Sequence, residues 1–244
     1  MYAKKDFSFT NLGKSLIINF PHQNDEKSVL FVVSLKDAIK AKYADYIEDI
    51  TTTFNSINLF FKSSYDKESI VVNLLKIIDK TPYKLSVKTR KWKLPVCVDD
   101  EFTKDISSFF KGNQQKIDWY LTKFFDLQFR FVFYGFLPGF PYLSGLPANM
   151  AIARKSIPNN LTPKGSVAIG GNQVGIYPQN SPGGWHVIGN CPFPIIEFYS
   201  ADQSSIIPGD QVQFYKISKP EYVKVLEALK TNSEHTYLKT FKDD

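Results

Sequence analysis

The residues that are best suited to take part in a reaction lie in one short segment, Gln179–Gly189, which reads QNSPGGWHVIG. Histidine titrates near neutral pH and is the commonest general acid or base. On a strand, Trp185 and His186 point to opposite faces, so one side chain enters the interior and the other faces an exposed surface or groove. We therefore expect Trp185 to be buried and predict a catalytic role for His186. A hydrogen-bonded structural histidine is the plainer alternative.

A serine triad is a second chemistry that the same segment could support. Ser181 or Ser166, together with His186 and Asp210, would supply the residue types. A triad is defined by geometry, however, and neither the spacing nor a GxSxG elbow supports one here. Metal chemistry is not expected either, because HExxH and CxxC motifs are absent and the two cysteines and three histidines lie far apart.

A second unusual segment, Gly135–Pro147, reads GFLPGFPYLSGLP and alternates proline and glycine with rings. Proline fixes φ and glycine permits positive φ, so this run encodes one defined loop. It either packs over the core or lines a concave surface, and we predict a groove with Gln179–Gly189 as its opposite wall. The predicted substrate- or partner-binding residues are Phe136, Pro138, Phe140, Tyr142, Gln173, Tyr177, Ser181, Gly183, Gly184 and Trp185.

Phosphate-binding loops are not evident. NLGKS at Asn11–Ser15 and PKGS at Pro163–Ser166 resemble fragments of such loops, but each precedes a predicted strand. A phosphate cradle must instead open a helix, whose N-terminal amides face the anion. We therefore expect no nucleotide motif in this chain.

The composition is that of a soluble globular protein, with 43% hydrophobic and 22% charged residues among 244. The net charge of +6 is too small to imply a nucleic-acid partner. No run approaches the roughly 20 apolar residues of a membrane span, and the N-terminus lacks an apolar signal region. These features predict a cytoplasmic protein that binds neither membrane nor nucleic acid.

Hydrophobic periodicity divides the chain into two domains. Residues 1–90 show the order β-α-β-α-β, with strands near 15–20, 55–61 and 83–96, a helix from Phe31, and a helix capped by Asp66. This order predicts an α+β, ferredoxin-like domain. Residues 91–244 contain a short helix near 117–124 and an aromatic strand, Phe129–Phe136. Short strands between Gly and Pro turns follow, with a final helical stripe at 222–229, which predicts an all-β barrel or sandwich with a C-terminal helix.

Three stretches carry a family resemblance: GFLPGFPYLSGLP, PKGSVAIGGNQVGIYPQNSPGGWHVIGNCP and PGDQVQF. They resemble the family of KipI and the B-type subunit of 5-oxoprolinase, also called allophanate hydrolase subunit 1 or carboxyltransferase subdomains C and D. The resemblance implies an α+β N-terminal domain followed by a cyclophilin-like β-barrel.

The resemblance also implies function. The chain is expected to be the B-type subunit of an ATP-dependent 5-oxoprolinase, which converts 5-oxo-L-proline to L-glutamate. Its expected partners are a KipA-like, C-type subunit and an A-type subunit. ATP would bind in the assembled complex, and the chain alone would be inactive. The alternatives are a KipI-like regulator that inhibits a sensor histidine kinase, and a carboxyltransferase fragment.

Several positions depart from the family's usual text. Lys164, Val174 and Asn190–Cys191 replace Ala, Thr and Arg–Thr, and Asn159 stands where Arg is common. Phe124 lies near the place of a common histidine. These departures alter expected contacts to an anionic substrate but keep the turn residues of the barrel.

Overall fold

The computed structural model describes residues 3–21, 25–82, 89–193, 206–231 and 242–243. The chain divides into two compact units, residues 1–88 and 89–244. Both the sheet unit and the barrel unit contain helices, so the predicted α+β class is confirmed.

The first unit is a four-stranded sheet with two helices. Its elements are β1 (Ser8–Leu12), β2 (Ser15–Asn19), α1 (Glu26–Tyr43), β3 (Ile47–Thr52), β4 (Ser56–Phe61) and α2 (Lys67–Lys80). The strand order is β1-β2-β4-β3, and each of these pairings is antiparallel. Asp25 and Asp66 cap the two helices by accepting hydrogen bonds from backbone amides, which confirms the predicted cap at Asp66.

The sequence pattern missed the two edge strands, β1 and β3. No residue of β1 is buried, so its sequence shows no apolar alternation. In β3 a bulge between Ile47 and Asp49 puts Ile47 and Ile50 on the buried side at a spacing of three. Of the strand predicted at 83–96, residues 83–88 lie outside the described residues, and the rest belongs to the second unit.

The second unit is a closed, mixed barrel. Its elements are β5 (Lys91–Cys97), α3 (Lys104–Phe109), α4 (Gln114–Phe125), β6 (Phe129–Tyr134), β7 (Pro141–Ser144), β8 (Asn159–Thr162), β9 (Ser166–Gly170), β10 (Gln173–Ile176), β11 (Ser181–Gly183), β12 (His186–Asn190), β13 (Gln211–Ile217), α5 (Lys219–Thr231) and β14 (Lys242–Asp243). Strands follow the order β12-β9-β10-β7-β6-β13-β5, and a β12–β5 pairing closes the ring. β13 runs parallel to β5, while β8 and β11 form a separate ribbon.

Aromatic residues fill the barrel core. Phe124 of α4 is fully buried and stacks on Phe214 of β13, with ring centroids 5.5 Å apart. The face predicted for α4 is buried as expected, including Ile117, Tyr120 and Leu121. Much of the chain's aromatic content therefore serves the core. One of the short apolar runs predicted as strands, PIIEFY at 194–199, lies outside the described residues. Within the described part of the chain, no helix is long and apolar enough to cross a membrane.

Candidate functional site

A pocket of about 190 Å³ opens on the barrel unit, where three loops meet. The loops are the β6–β7 connection, the segment before β8, and the turn between β11 and β12. The lining residues are Phe136, Phe140, Tyr142, Arg154, Lys155, Pro158, Tyr177, Gly183, Gly184 and Trp185. We call this cavity the aromatic pocket. Seven of the ten predicted binding residues line it.

Trp185 anchors one wall of the aromatic pocket. Its side chain is 5% exposed, and its ring meets Phe140 and Tyr142 edge-on at 5.5 and 5.6 Å between centroids. Gly170 of β9 lies directly against the indole, since a Cβ there would come within 2.4 Å of it. The expected burial of Trp185 is what the structure shows.

Tyr177 forms the inner wall of the pocket. It is 2% exposed and packs edge-on against Phe140, with centroids 5.2 Å apart. Burial raises the pKa of Tyr177, against smaller opposing effects from the Trp185 backbone, the Thr162 hydroxyl and the charge of Arg154. The phenol is therefore a neutral hydrogen-bonding group at physiological pH.

Phe136 stands at the mouth of the pocket with 61% of its surface exposed. Its φ is +63°, a left-handed conformation that is unfavourable for a bulky residue. Short backbone hydrogen bonds hold the loop in this shape, including Leu137 N to Gly135 O at 2.7 Å and Phe140 N to Leu137 O at 3.0 Å. Such retained strain is typical of functional loops.

Arg154 and Lys155 supply positive charge beside the rings. The guanidinium of Arg154 lies 5.7 Å from the centre of the Trp185 ring. Lys155 forms an ion pair with Asp105 of α3 at 2.5 Å, and its backbone N–H donates to Gly184 O at 2.8 Å. The sequence-based prediction missed both residues. The sequence feature that could have identified them is a basic pair three to four residues before Pro158, in a stretch without helical or strand periodicity.

Asp105 joins the loop before β8 to strand β12. One carboxylate oxygen pairs with Lys155, and the other accepts from Val187 N at 3.0 Å and from Asn159 Nδ2 at 3.3 Å. The contact from β8 to Asp105 is therefore made by a neutral amide, that of Asn159.

His186 does not line the aromatic pocket, in contrast to the expectation that it would face the same groove as Tyr177. His186 is the first residue of β12, and its ring packs edge-on against Phe109 of α3, with centroids 5.3 Å apart. Burial lowers the pKa of His186, and Lys155 lowers it further, while Asp105 and the backbone of Ala153 act in the opposite direction. The catalytic role of His186 stays a prediction.

The other predicted site residues also lie outside the pocket lining. Gln173 begins β10 opposite Gly170, and Pro138 lies in the β6–β7 loop.

Ser181 is buried, and its hydroxyl donates to Pro182 O at 3.2 Å. Asp210 accepts hydrogen bonds from Arg90 and Trp92 rather than from a histidine. Ser181, His186 and Asp210 therefore do not form a triad. Among the described residues, no group of three or more His, Cys, Asp or Glu is arranged to hold a metal ion.

Comparison with known proteins gives this chain its family. Residues 8–207 match the model of the carboxyltransferase domain, subdomain C and D. The chain belongs to this family. Its relatives include the B-type subunit of 5-oxoprolinase from Haemophilus influenzae, 31% identical over 174 residues, which are 69% of this chain and 78% of that protein. The corresponding 5-oxoprolinase subunit of Bacillus subtilis is 35% identical over 136 residues.

Coverage of the relatives is partial. The matched region is 56% of this chain and 57% of the Bacillus subtilis protein, less than two thirds of that relative's length. Among solved structures, the Kluyveromyces lactis urea amidolyase matches with a TM-score of 0.70 and 17% identity, over 91% of this chain and 15% of that one. At that identity the likeness shows the fold alone. The carboxyltransferase fold is thus common to proteins that are named for different activities.

Proposed function

We propose that this carboxyltransferase-family chain is the B-type subunit of an ATP-dependent 5-oxoprolinase, which converts 5-oxo-L-proline to L-glutamate. Its partners in the proposal are a KipA-like, C-type subunit and an A-type subunit. The relatives that are named as B-type subunits of 5-oxoprolinase, at 31% and 35% identity, support the assignment. The observation that carries it is the aromatic pocket, whose size and charge suit a small cyclic amide with one carboxylate.

The pocket's chemistry matches the parts of such a substrate. The aromatic lining, which includes Phe136, Phe140 and Trp185, would contact the apolar edge of a five-membered lactam. The positive charge beside the rings suits a carboxylate, and the neutral phenol of Tyr142 can hydrogen-bond to the amide. The affinity of such a site rests on a few placed polar groups among apolar walls.

ATP does not fit the aromatic pocket. The volume of 190 Å³ is below the roughly 300–1,000 Å³ of pockets that hold drug-sized ligands. Among the described lining residues, none belongs to a helix N-terminus with a glycine-rich loop that could cradle phosphates. We therefore place the nucleotide elsewhere in the assembled enzyme and expect this chain alone to hydrolyse neither ATP nor oxoproline.

A regulatory function is the second candidate. Two apolar side chains beside the pocket are strongly exposed, Phe136 at 61% and Ile157 at 82%, which favours a protein partner on this face. In a KipI-like regulator that partner would be a sensor histidine kinase. Genomic neighbours that resemble the A-type and C-type subunits favour the enzyme, and a neighbouring sensor kinase favours the regulator.

The decisive experiment is reconstitution. The chain is co-expressed with its A-like and C-like neighbours, and oxoproline-dependent ATP hydrolysis and glutamate formation are measured with each protein omitted in turn. We expect activity only from the complete set. Full activity without this chain, or no activity from the complete set, contradicts the proposal. Inhibition of kinase autophosphorylation by this chain supports the regulator instead.

A further inference from the structure

The two basic side chains of the aromatic pocket differ in what surrounds them. Lys155 and Asp105 are largely buried, at 13% and 17% side-chain exposure, and lie 2.5 Å apart. Arg154 is exposed, and among the described residues no carboxylate forms an ion pair with it. The charge of Lys155 is therefore neutralised within the protein, while that of Arg154 is available to a ligand.

The field of Arg154 extends into the pocket. Burial raises the pKa of Tyr142, and the charge of Arg154 opposes that rise. The same opposition acts on the pKa of Tyr177 at the inner wall. The guanidinium is therefore near enough to act on a ligand that contacts either phenol.

We propose that Arg154 binds the carboxylate of a small monocarboxylate ring compound, and that Asp105 is a positioning residue that limits the pocket to such monoanions. In naming oxoproline as the natural ligand, the inference rests on the proposed function. Its physical basis is the contrast between one ion-paired cation and one available cation in the same cavity.

Asp105 fixes both the charge and the shape of the site. One acidic and two basic side chains, those of Asp105, Lys155 and Arg154, give the group one net positive charge, which complements one carboxylate. The Asp105 oxygen that does not pair with Lys155 accepts hydrogen bonds from Asn159 and from the backbone of Val187. Asp105 therefore holds the loop that carries Arg154 against strand β12. Arginine suits this task because its planar fork binds a carboxylate through two parallel hydrogen bonds.

Ligand affinity tests the role of Arg154. Calorimetry on the full chain and KM of the assembled complex are measured with oxoproline and with pyrrolidinone, the same ring without a carboxylate. Arg154→Met should weaken oxoproline binding by roughly 10- to 100-fold and leave pyrrolidinone unchanged, since a hydrogen bond to a charged group is worth about 1.5–3 kcal/mol. Arg154→Lys should be intermediate, because lysine cannot make the paired contact.

The matched control is Lys224→Met, which removes a positive charge from exposed α5, away from the pocket lining. It should bind oxoproline as the wild-type chain does. An Arg154→Met variant that binds oxoproline normally overturns the inference. A wild-type chain that, alone and assembled, prefers oxoproline no more than pyrrolidinone also overturns it.

The role of Asp105 is tested by ligand charge. Asp105→Asn leaves Lys155 unpaired and adds a second positive charge, so the preference should shift roughly tenfold from oxoproline toward the dicarboxylate glutarate. Asp105→Asn combined with Lys155→Met should restore the preference for the monoanion. A merely structural role would weaken both ligands equally, and an unchanged ratio therefore contradicts the assignment of Asp105.

Failure of this inference and failure of the proposed function give different results. If the complex hydrolyses ATP with oxoproline but Arg154→Met leaves KM unchanged, the oxoprolinase role stands and Arg154 is not the anion-binding residue. If the complex is inactive but the chain binds small monocarboxylates through Arg154, the pocket assignment stands and the oxoprolinase role fails.

Discussion

At the scale of single residues, the candidate site depends on which positions lack a side chain. Gly183 and Gly184 were both predicted as binding residues, but the space around them differs. A Cβ on Gly183 would come within 2.2 Å of the Tyr177 hydroxyl, so this glycine makes room for the protein's own tyrosine. A Cβ on Gly184 would meet nothing closer than 3.7 Å, so its empty space belongs to the pocket.

This difference predicts opposite effects for two neighbouring substitutions. Gly183→Ala should lower the free energy of unfolding by about 1–3 kcal/mol, the usual cost of overpacking, because Tyr177 must move. Gly184→Ala should leave that free energy within about 0.5 kcal/mol and instead weaken ligand binding by partly filling the cavity. Urea denaturation and calorimetric titration separate the two. Equal destabilisation by both would show that the Gly184 space is not open.

His186 should make stability depend on pH in one direction. Its pKa is lowered in the folded chain, mainly by burial, while the unfolded chain has an ordinary value near 6.5. As pH falls below about 6.5, the unfolded state takes up the proton first, so the folded state loses stability between that pH and the folded pKa. The contribution is fully present above the unfolded pKa. The Asp105 and Lys155 charges that face the ring oppose each other.

The control for this pH effect is His186→Gln, which cannot titrate in this range. Thermal unfolding from pH 8 to pH 5 should show a smaller loss of stability for His186→Gln than for the wild-type chain. A parallel decline in both proteins would mean that the burial of His186 does not govern its protonation.

The sequence predicted the aromatic residues of the site but not its charged residues. Trp185, Phe140 and Tyr142 stand in segments whose glycine and proline spacing already indicates one fixed loop. His186 was predicted to face the groove, but it does not line the pocket. The contact of His186 with Phe109 was not predictable, because Phe109 belongs to helix α3, which is distant in the sequence. The roles of Arg154 and Asp105 were likewise not predictable, because they depend on the contact between α3 and the loop before β8.

At the scale of elements, β2, β4, α2 and α4 were predictable, whereas the edge strands β1 and β3 were not. Strand β7 was not predicted either, because it lies inside the segment Gly135–Pro147 that the sequence indicated as a loop. Helix α2 has both an Asp66 cap and a regular apolar stripe, so local sequence and packing agree. Edge strand β1 contacts a neighbour on one side only and buries none of its residues, so no hydrophobic period marks it. Its place in the sheet follows from pairing with β2, which local patterns do not encode.

Asp210 ties two elements of the barrel together. It is 1% exposed and accepts hydrogen bonds from Arg90 Nε at 3.0 Å, Trp92 Nε1 at 2.9 Å and Ile207 N at 3.1 Å. These contacts join the start of β5 to the turn before β13, next to the parallel pairing of the two strands. Asp210 was a candidate member of a triad in the sequence, and in the structure it holds strands together.

Removing this carboxylate should therefore cost stability rather than ligand binding. Asp210→Ala is expected to lower the free energy of unfolding by about 3–5 kcal/mol, because it removes a buried carboxylate that accepts from Arg90, Trp92 and Ile207. The matched control is Asp79→Ala, which breaks an exposed pair with Lys4 at 52% and 60% side-chain exposure. Its effect should be about 0–1 kcal/mol. Similar denaturation curves for the two variants would show that Asp210 is not a structural tie.

At the scale of the whole molecule, the chain combines a sheet unit with a barrel unit whose pocket is rimmed by exposed apolar side chains. Phe136 at the mouth of the pocket and Ile157, next to the lining residue Pro158, expose 61% and 82% of their surface, and Phe136 also adopts a strained φ. Large exposed apolar side chains that lie close together can mark a surface for a protein partner. The names of the relatives, which are subunits of a larger enzyme, agree with covering by another protein.

We therefore expect the chain to form a stable complex with a KipA-like, C-type subunit through this rim, with roughly 1,200–2,000 Å² buried in total. Co-expressed proteins should elute together in size-exclusion chromatography at micromolar concentration. Ile157→Asp should separate them without lowering the chain's own thermal stability, because the side chain makes almost no intramolecular contact at 82% exposure. Val223→Asp, on exposed α5 at 41%, is the control and should leave the complex intact. If the wild-type pair elutes as separate monomers, no such complex forms, and if Ile157→Asp elutes with its partner, the interface lies on another face.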